Sequence, residues 1–248
     1  MPLHIHAEPA DLAPVVLLPG DPGRAERIAG RLDGAVCYTR NRGLLGWTGE
    51  YQGARVSVQT TGMGAPSTAI IAEELIELGA CVLVRVGTSG GTHANVRPGD
   101  LIVATASCPL DGTTHAYLEG LPYAPVAHFG VTRALVDAAT VHGYAPHAGL
   151  VATEDAFYHP EPDHAARWAA RGVLAFEMEA SALFTVAALR GVAAGCLLTV
   201  SNSSKALDWI GGDTLDSAID RMIDVALASV PTLATIAAST GPASPRPG

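Results

Sequence analysis

Short apolar runs that end in glycine-rich segments constrain this chain more than any other feature. Val15-Val16-Leu17 leads into Leu18-Pro19-Gly20-Asp21-Pro22-Gly23-Arg24, and Val56-Ser57-Val58-Gln59 into Thr61-Gly62-Met63-Gly64-Ala65-Pro66-Ser67. Cys81-Val82-Leu83-Val84 leads into Arg85-Val86-Gly87-Thr88-Ser89-Gly90-Gly91. All three segments read as turns after strands. In an open α/β sheet, ligands bind where loops leave the carboxyl ends of strands. Glycines there let backbone N–H groups converge on an oxyanion, and a helix start adds a favourable dipole. Arg24 and Arg85 would add forked, charge-assisted hydrogen bonds. The pattern therefore predicts an anion site, of phosphate type, assembled from several loops of one sheet.

Further elements fit that frame. Strands are expected at Val15–Pro19, Gly46–Tyr51, Arg55–Thr60, Cys81–Val86, Leu101–Ala106, Leu150–Thr153 and Ala194–Val200. Helices are expected at Pro22–Leu32, Ser67–Leu78, Thr132–His142, Asp163–Ala170, Glu177–Arg190 and Leu215–Val230, several of them stopped by glycine. Strands alternating with helices predict a single α/β domain over residues 1–238, with a mixed, mostly parallel sheet flanked by helices. Residues 239–248 are rich in Pro, Gly and Ser and read as a disordered tail.

The formal net charge of −9 argues against nucleic acid as a partner, so the anion site must be local. Charged residues make up only 16% of the chain, against about 25% in typical soluble proteins, which suggests buried subunit interfaces. No apolar run approaches the ~20 residues of a membrane span, and the N-terminus lacks the features of a signal peptide. Cys37, Cys81, Cys108 and Cys196 form no paired motif. A cytoplasmic location without membrane contact is expected. The histidines show no ligand spacing and no Cys/His cluster exists, so no metal is inferred.

Each motif has a rival reading. Gly87-Thr88-Ser89-Gly90-Gly91 matches the nucleophile elbow, but no helix follows it. Gly62-Met63-Gly64-Ala65-Pro66-Ser67 resembles a dinucleotide fingerprint, but that reading leaves the other two glycine segments without a task. In Ala175-Phe176-Glu177-Met178-Glu179-Ala180, a carboxylate could accept from paired sugar hydroxyls or simply favour a helix start. Thr199-Val200-Ser201-Asn202-Ser203 suits a base edge, or is an ordinary turn; Phe157-Tyr158 offers a stacking plane, or core packing. Together these groups describe a site for a nucleoside plus phosphate.

At these residues the chain resembles the nucleoside phosphorylase family of hexameric purine nucleoside phosphorylases and uridine phosphorylases. The resemblance rests on Pro19-Gly20-Asp21-Pro22-x-Arg24, Asn41-Arg42-Gly43-Leu44-Leu45-Gly46-Trp47-Thr48-Gly49, Thr61-Gly62-Met63-Gly64-x-Pro66-Ser67, Arg85-Val86-Gly87-Thr88, Phe157-Tyr158 and Glu177-Met178-Glu179-Ala180. It implies phosphorolysis of a nucleoside to free base and pentose 1-phosphate, with phosphate as co-substrate and no cofactor. By position it implies Gly20, Arg24, Arg85 and Thr88 as phosphate ligands, with Arg42 supplied by a neighbouring subunit. Met178 and Glu179 would hold the ribose, with His4 of that neighbour near the 5′-hydroxyl. Phe157, Phe176, Glu177, Ser201 and Asn202 would line the base pocket, and Arg24, Arg85 and Asn202 would carry the chemistry. A homohexamer built as a trimer of dimers is implied.

Two features set the base preference. Broad-specificity hexameric purine enzymes carry Asp where this chain has Asn202, and a later Arg where it has Leu215. An amide donates a hydrogen bond but transfers no proton, so 6-oxopurines are expected to be preferred over adenosine. The uridine branch places Gln and Arg after the Phe-Tyr pair; here His159-Pro160-Glu161-Pro162 follows. Uridine phosphorolysis, nucleoside hydrolysis and non-catalytic nucleoside binding stand as the alternatives.

Overall fold

In the computed structural model, which describes residues 2–203, 208–240 and 243, the run Val15–Leu18 forms strand β1, buried at every position. It lies between two parallel neighbours, β4 (Ala54–Gln59) and β5 (Val82–Gly91). Val15 and Leu17 join the core on one face of the sheet, Val16 and Leu18 the core on the other. A strand covered on both faces has no solvent side, so its sequence is continuously apolar. Helix α1 (Pro22–Ala29) follows, capped by the Asp21 carboxylate, which accepts from the Gly23 and Arg24 amides. Pro22 takes the first helical position, where no N–H donor is required. Strands β2 (Asp33–Thr39) and β3 (Gly46–Tyr51) extend the sheet antiparallel beyond β4, which leads into α2 (Ala65–Glu77).

The second half adds β6 (Leu101–Leu110), α3 (Gly112–Tyr117), α4 (Phe129–Val141), β7 (His147–Glu154), α5 (His164–Ala169), β8 (Ala175–Glu177), α6 (Ala180–Arg190), β9 (Ala193–Ser203), β10 (Asp208–Trp209) and α7 (Gly212–Ser239). The strand order is β10-β9-β6-β7-β8-β5-β1-β4-β3-β2, and β9 also pairs with β5. Strands β5, β9, β6, β7 and β8 therefore close into a ring, which removes their free edges. One core, including Ile28, Leu135, Met222 and Val230, packs α1, α4 and α7 on the sheet. The other, including Leu75, Leu183 and Phe184, packs α2 and α6 on the opposite face.

The α/β architecture matches expectation, with several local differences. Parallel and antiparallel strand pairs are equal in number among the described strands, and the two longest, β5–β9 and β6–β7, are parallel. Arg85–Gly91 is not a turn: β5 continues through Gly91, paired with β9 on one side and β8 on the other. Strand β2, missed in the sequence, is an edge strand whose first four residues are exposed, so it carries little apolar signal. The expected helix over Glu177–Arg190 starts at Ala180, because Glu177 is still in β8. Helix α7 runs past Pro231 to Ser239; Leu233 and Ala237 beyond the proline are buried, and that packing offsets the lost N–H donor. By length and composition alone α7 could cross a membrane, contrary to the expectation of no such run, yet half of that apolar window is buried inside the fold. Of the expected tail, Ser239 is helical, and residues 241–242 and 244–248 lie outside the described residues.

Candidate active site

The loops after β1 and β4 meet first. The Thr61 amide donates to the Pro19 carbonyl oxygen at 2.9 Å, and a Cβ on Gly20 would stand 3.1 Å from the Gly62 carbonyl oxygen. Gly62 and Gly64 have φ of 74° and 91°, the left-handed region glycine tolerates, and this turns the Gly64 amide inward. That amide donates to Glu179 Oε1 at 2.6 Å. The other carboxylate oxygen of Glu179 pairs with Arg85 Nη2 at 2.6 Å.

Arg85 projects from β5 across Gly87, two residues along the same face. A Cβ at Gly87 would come within 2.7 Å of the Arg85 guanidinium carbon, so glycine is what lets the side chain lie there. Arg85 Nε is 2.8 Å from Glu177 Oε2, and both side chains are buried. Burial alone would lower the Arg85 pKa; Glu179 and Glu177 together raise it above its ordinary value. The α1 helix delivers Arg24, whose Nη1 donates to the Val86 carbonyl oxygen at 3.2 Å. Arg24 Nε is buried without a hydrogen-bond partner among the described residues. Burial, and next the positive charge of Arg85, depress the Arg24 pKa to about 10. Thr88 follows Gly87 on β5 and is half-buried.

Glu177 braces this cluster from beneath. It accepts from Thr153 Oγ1, from the Glu179 amide at 2.9 Å and from the Ala180 amide, so it anchors the first turn of α6. Its side chain has no accessible surface and faces Arg85, so it lies within the arginine–glutamate cluster, away from the Asn202 group. Burial raises its carboxyl above the ordinary range. Met178, half-buried, sits between the two glutamates.

A second group of expected residues gathers further along β5. Gly90 pairs with Phe176 on β8 and with Asn202 on β9, and Asn202 pairs in turn with Trp209 on β10. Ser201 is the extra residue of a bulge: Ser89 pairs with Val200, but Gly90 pairs with Asn202. Bulges re-aim side chains next to sites, and this one brings Asn202 over Gly90, where a Cβ would meet Asn202 Oδ1 at 3.3 Å. Ser201 Oγ lies 3.1 Å from Asn202 Oδ1 and 3.2 Å from the Ser89 carbonyl oxygen. When the hydroxyl donates to Oδ1, the Asn202 Nδ2 group has no partner among the described residues. Phe176 stacks on His164 at 4.9 Å, and His164 stacks on His159 at 3.6 Å and meets Glu154 through Nε2. Phe157 is half-exposed above this row, with Tyr158 edge-on to it.

His4 and Arg42 do not join their own chain's cluster. Glu74 accepts from the Leu3, His4 and Ile5 amides and from the His4 ring at 2.7 Å. Glu74 lies ten residues along α2 from Gly64, about 15 Å at the helical rise. Asn41 Nδ2 donates to the His4 carbonyl oxygen at 2.9 Å, which holds His4 beside the turn carrying Arg42. Arg42 is exposed and adopts φ 55°, an uncommon conformation for a residue with a side chain. A cleft of about 470 Å³ lined by His128, Val192 and Ile236 lies at the opposite end of β9 from Asn202, away from both arginines.

The model of one protein family, described as the phosphorylase superfamily, matches residues 14–231. That span covers every element from β1 to the middle of α7. The chain belongs to the phosphorylase superfamily. It is 41% identical over 235 residues to "Purine nucleoside phosphorylase DeoD-type" from Clostridium perfringens (strain SM101 / Type A), covering 94% of this chain and 100% of the relative. Proteins of the same name from Geobacillus kaustophilus (strain HTA426) and Bacillus thuringiensis (strain Al Hakam) are 42% and 40% identical, over 92% of this chain and 97% of each relative. The sequence reading names the arginines, the glutamates and Asn202 that the structure gathers into these two groups. It misses Gly90 and Trp209, whose place depends on register across strands far apart in the chain.

Proposed function

We propose that this superfamily member is a purine nucleoside phosphorylase that prefers 6-oxopurine nucleosides. The observation that carries the reading is the gathering of two buried arginines beside the Gly20 and Gly64 loops: Arg85 paired with Glu179, and Arg24 on the Val86 carbonyl oxygen, near enough to feel the charges of both. Phosphate would bind Arg24, Arg85, Thr88 and the amides around Gly20. Glu179, held by Gly64 and Arg85, would accept from the ribose hydroxyls next to Met178. Arg24, Arg85, Glu177 and Glu179 together carry no formal net charge when all are ionised. A phosphate dianion therefore calls for another cation, which Arg42 of a neighbouring subunit would supply, along with His4 at the 5′-hydroxyl. Asn41 ties those two residues into one corner of the surface, which suits joint delivery into a partner's site. A homohexamer assembled from such dimers accords with this arrangement.

In the reaction a phosphate oxygen bonds to C1′ as the glycosidic C–N bond breaks, and the base leaves with the bond's electron pair. Positive charge develops on the sugar, where the phosphate dianion opposes it. Negative charge develops on the base. In a 6-oxopurine it spreads onto O6 and N7, where the Asn202 amide can donate; such preorganised donors are typically worth about 10²–10³ in rate. Adenine gains less, because its departure is aided chiefly by a proton, and an amide supplies none. A cytoplasmic location suits an enzyme whose charged product, pentose 1-phosphate, does not cross membranes.

The test is base release from inosine, guanosine, adenosine and uridine, each with and without phosphate. Phosphate-dependent release of hypoxanthine and guanine, faster than of adenine, is expected. Uridine as the best substrate would overturn the base assignment, and release without phosphate would make the enzyme a nucleosidase.

A further inference from the structure

Trp209 has no role in the site as described so far, yet its placement is specific. It stands directly opposite Asn202 in an antiparallel pair, and residues so paired project from the same face with Cβ atoms about 5 Å apart. Phe176, Gly90, Asn202 and Trp209 thus form one row across β8, β5, β9 and β10. Gly90 contributes no side chain and the Asn202 amide reaches over it, which leaves a trough of about one strand spacing, about 5 Å, between that amide and Phe176. Phe157 reaches this trough from the segment after β7, on the β8 side; Trp209 reaches it from β10, on the other side. The two rings nevertheless meet, with centroids 6.3 Å apart and planes inclined at 42°. Both remain more than half exposed, Phe157 at 56% and Trp209 at 58%. Two large aromatic faces spanning a trough that ends in an amide donor are suited to a planar aromatic ring.

We propose that Trp209 is a base-binding residue, which with Phe157 covers the face of a purine whose edge meets Asn202. This rests on the reading of the site as one for purine nucleosides. Stacking on an aromatic side chain is tolerant of which base is bound, so Trp209 contributes affinity while Asn202 discriminates. Its second effect is to exclude water from the Asn202 amide, which strengthens that hydrogen bond as the base leaves.

The experiment combines fluorescence with kinetics. Hypoxanthine alone is titrated against wild type and Trp209→Phe, with tryptophan emission as the signal; Trp47 is buried and Trp168 lies against Arg171. A base-dependent change in wild type that disappears in Trp209→Phe is expected. In parallel, Trp209→Ala should raise the KM for inosine about tenfold, within the range of single base–aromatic stacks, while the KM for phosphate stays within about twofold. Trp209→Phe, which keeps an aromatic face, should recover most of that loss. Because Trp209 is largely exposed, its removal does not open the core. An emission change that persists in Trp209→Phe, or an inosine KM unmoved in Trp209→Ala, would overturn the proposal. If wild type binds hypoxanthine through Trp209 but does not cleave inosine, the reaction is wrong and the base platform stands.

Discussion

Arg85 and Gly87 act as a pair: the guanidinium reaches Glu177 and Glu179 only because position 87 has no side chain. Gly87→Ala would place a methyl group where the end of the arginine lies, and the flexible side chain would move rather than the backbone. The expected result is a loss in kcat/KM for phosphate of at least about tenfold, with the KM for the nucleoside less affected. Initial-rate kinetics at varied phosphate would check it, and equal losses for both substrates would count against the assignment. Arg24 yields a pH prediction. Its pKa in the fold is depressed to about 10, chiefly by burial and then by Arg85, so it is cationic below that pH and neutral above it. Phosphate affinity should hold steady above neutral pH, where phosphate is the dianion, and fall as pH rises through 10. A phosphate KM flat to pH 11, on enzyme shown to remain folded, would mean that Arg24 keeps its charge throughout or does not bind phosphate. At position 202, Asn202→Asp should shift the ratio of adenosine to inosine turnover toward adenosine; an unchanged ratio would remove the argument for 6-oxopurine preference.

At the scale of elements, polar side chains fix how the helices meet the sheet. Arg27 on α1 and Arg31 in the turn just after it pair with Asp216, Asp220 and Asp224, spaced one turn apart on α7. This ladder holds the helix that carries Arg24. Its members are partly exposed, so each pair contributes at most about 1 kcal/mol and weakens with salt. The Glu74 anchor of the N-terminal segment has a clearer signature. Burial opposes its charge, but the His4 ring and the amides of Ile5, His4 and Leu3 outweigh burial and hold its carboxyl below the ordinary range. A depressed carboxyl contributes stability above the unfolded pKa and loses it as pH falls through the folded one. Glu74→Gln should therefore raise amide hydrogen exchange at Leu3, His4 and Ile5 at neutral pH, and wild type should show the same loosening in acid. Unchanged exchange in the variant would show that neighbouring packing, not Glu74, holds the segment.

At the scale of the whole molecule, the separation of His4 and Arg42 from their own chain's arginines bears on assembly. If Arg42 acts in a partner's site, Arg42→Ala and Arg85→Ala are complementary lesions. Each variant alone should lose most activity. Co-refolding equal amounts should restore about a quarter of wild-type activity, because half of random pairs are mixed and each mixed pair contains one intact site. No recovery, from subunits shown to mix, would place Arg42 in its own chain's site. The mixed sheet adds a constraint of the same scale, since closing β5, β9, β6, β7 and β8 into a ring sets Phe176, Gly90 and Asn202 in line, and β10 pairing on β9 adds Trp209 to the row.

Local chemistry alone determined part of this protein. The apolar runs of β1, β4 and β5, the Asp21-Pro22 helix start, the Gly62 and Gly64 turn and the charges of Arg24, Arg85, Glu177 and Glu179 all express preferences of neighbouring residues. Those preferences placed these strands and named the residues of the arginine–glutamate cluster. Tertiary structure decided the rest, because the deciding terms come from residues distant in sequence. Gly87–Gly91 reads as a turn until strands on both sides supply its hydrogen bonds, and Pro231 reads as a helix end until buried Leu233 and Ala237 outweigh it. Glu177 reads as a base ligand until Arg85, Thr153 and the α6 amides occupy it. Trp209 meets Asn202 only through a register set by pairing, which no local preference encodes.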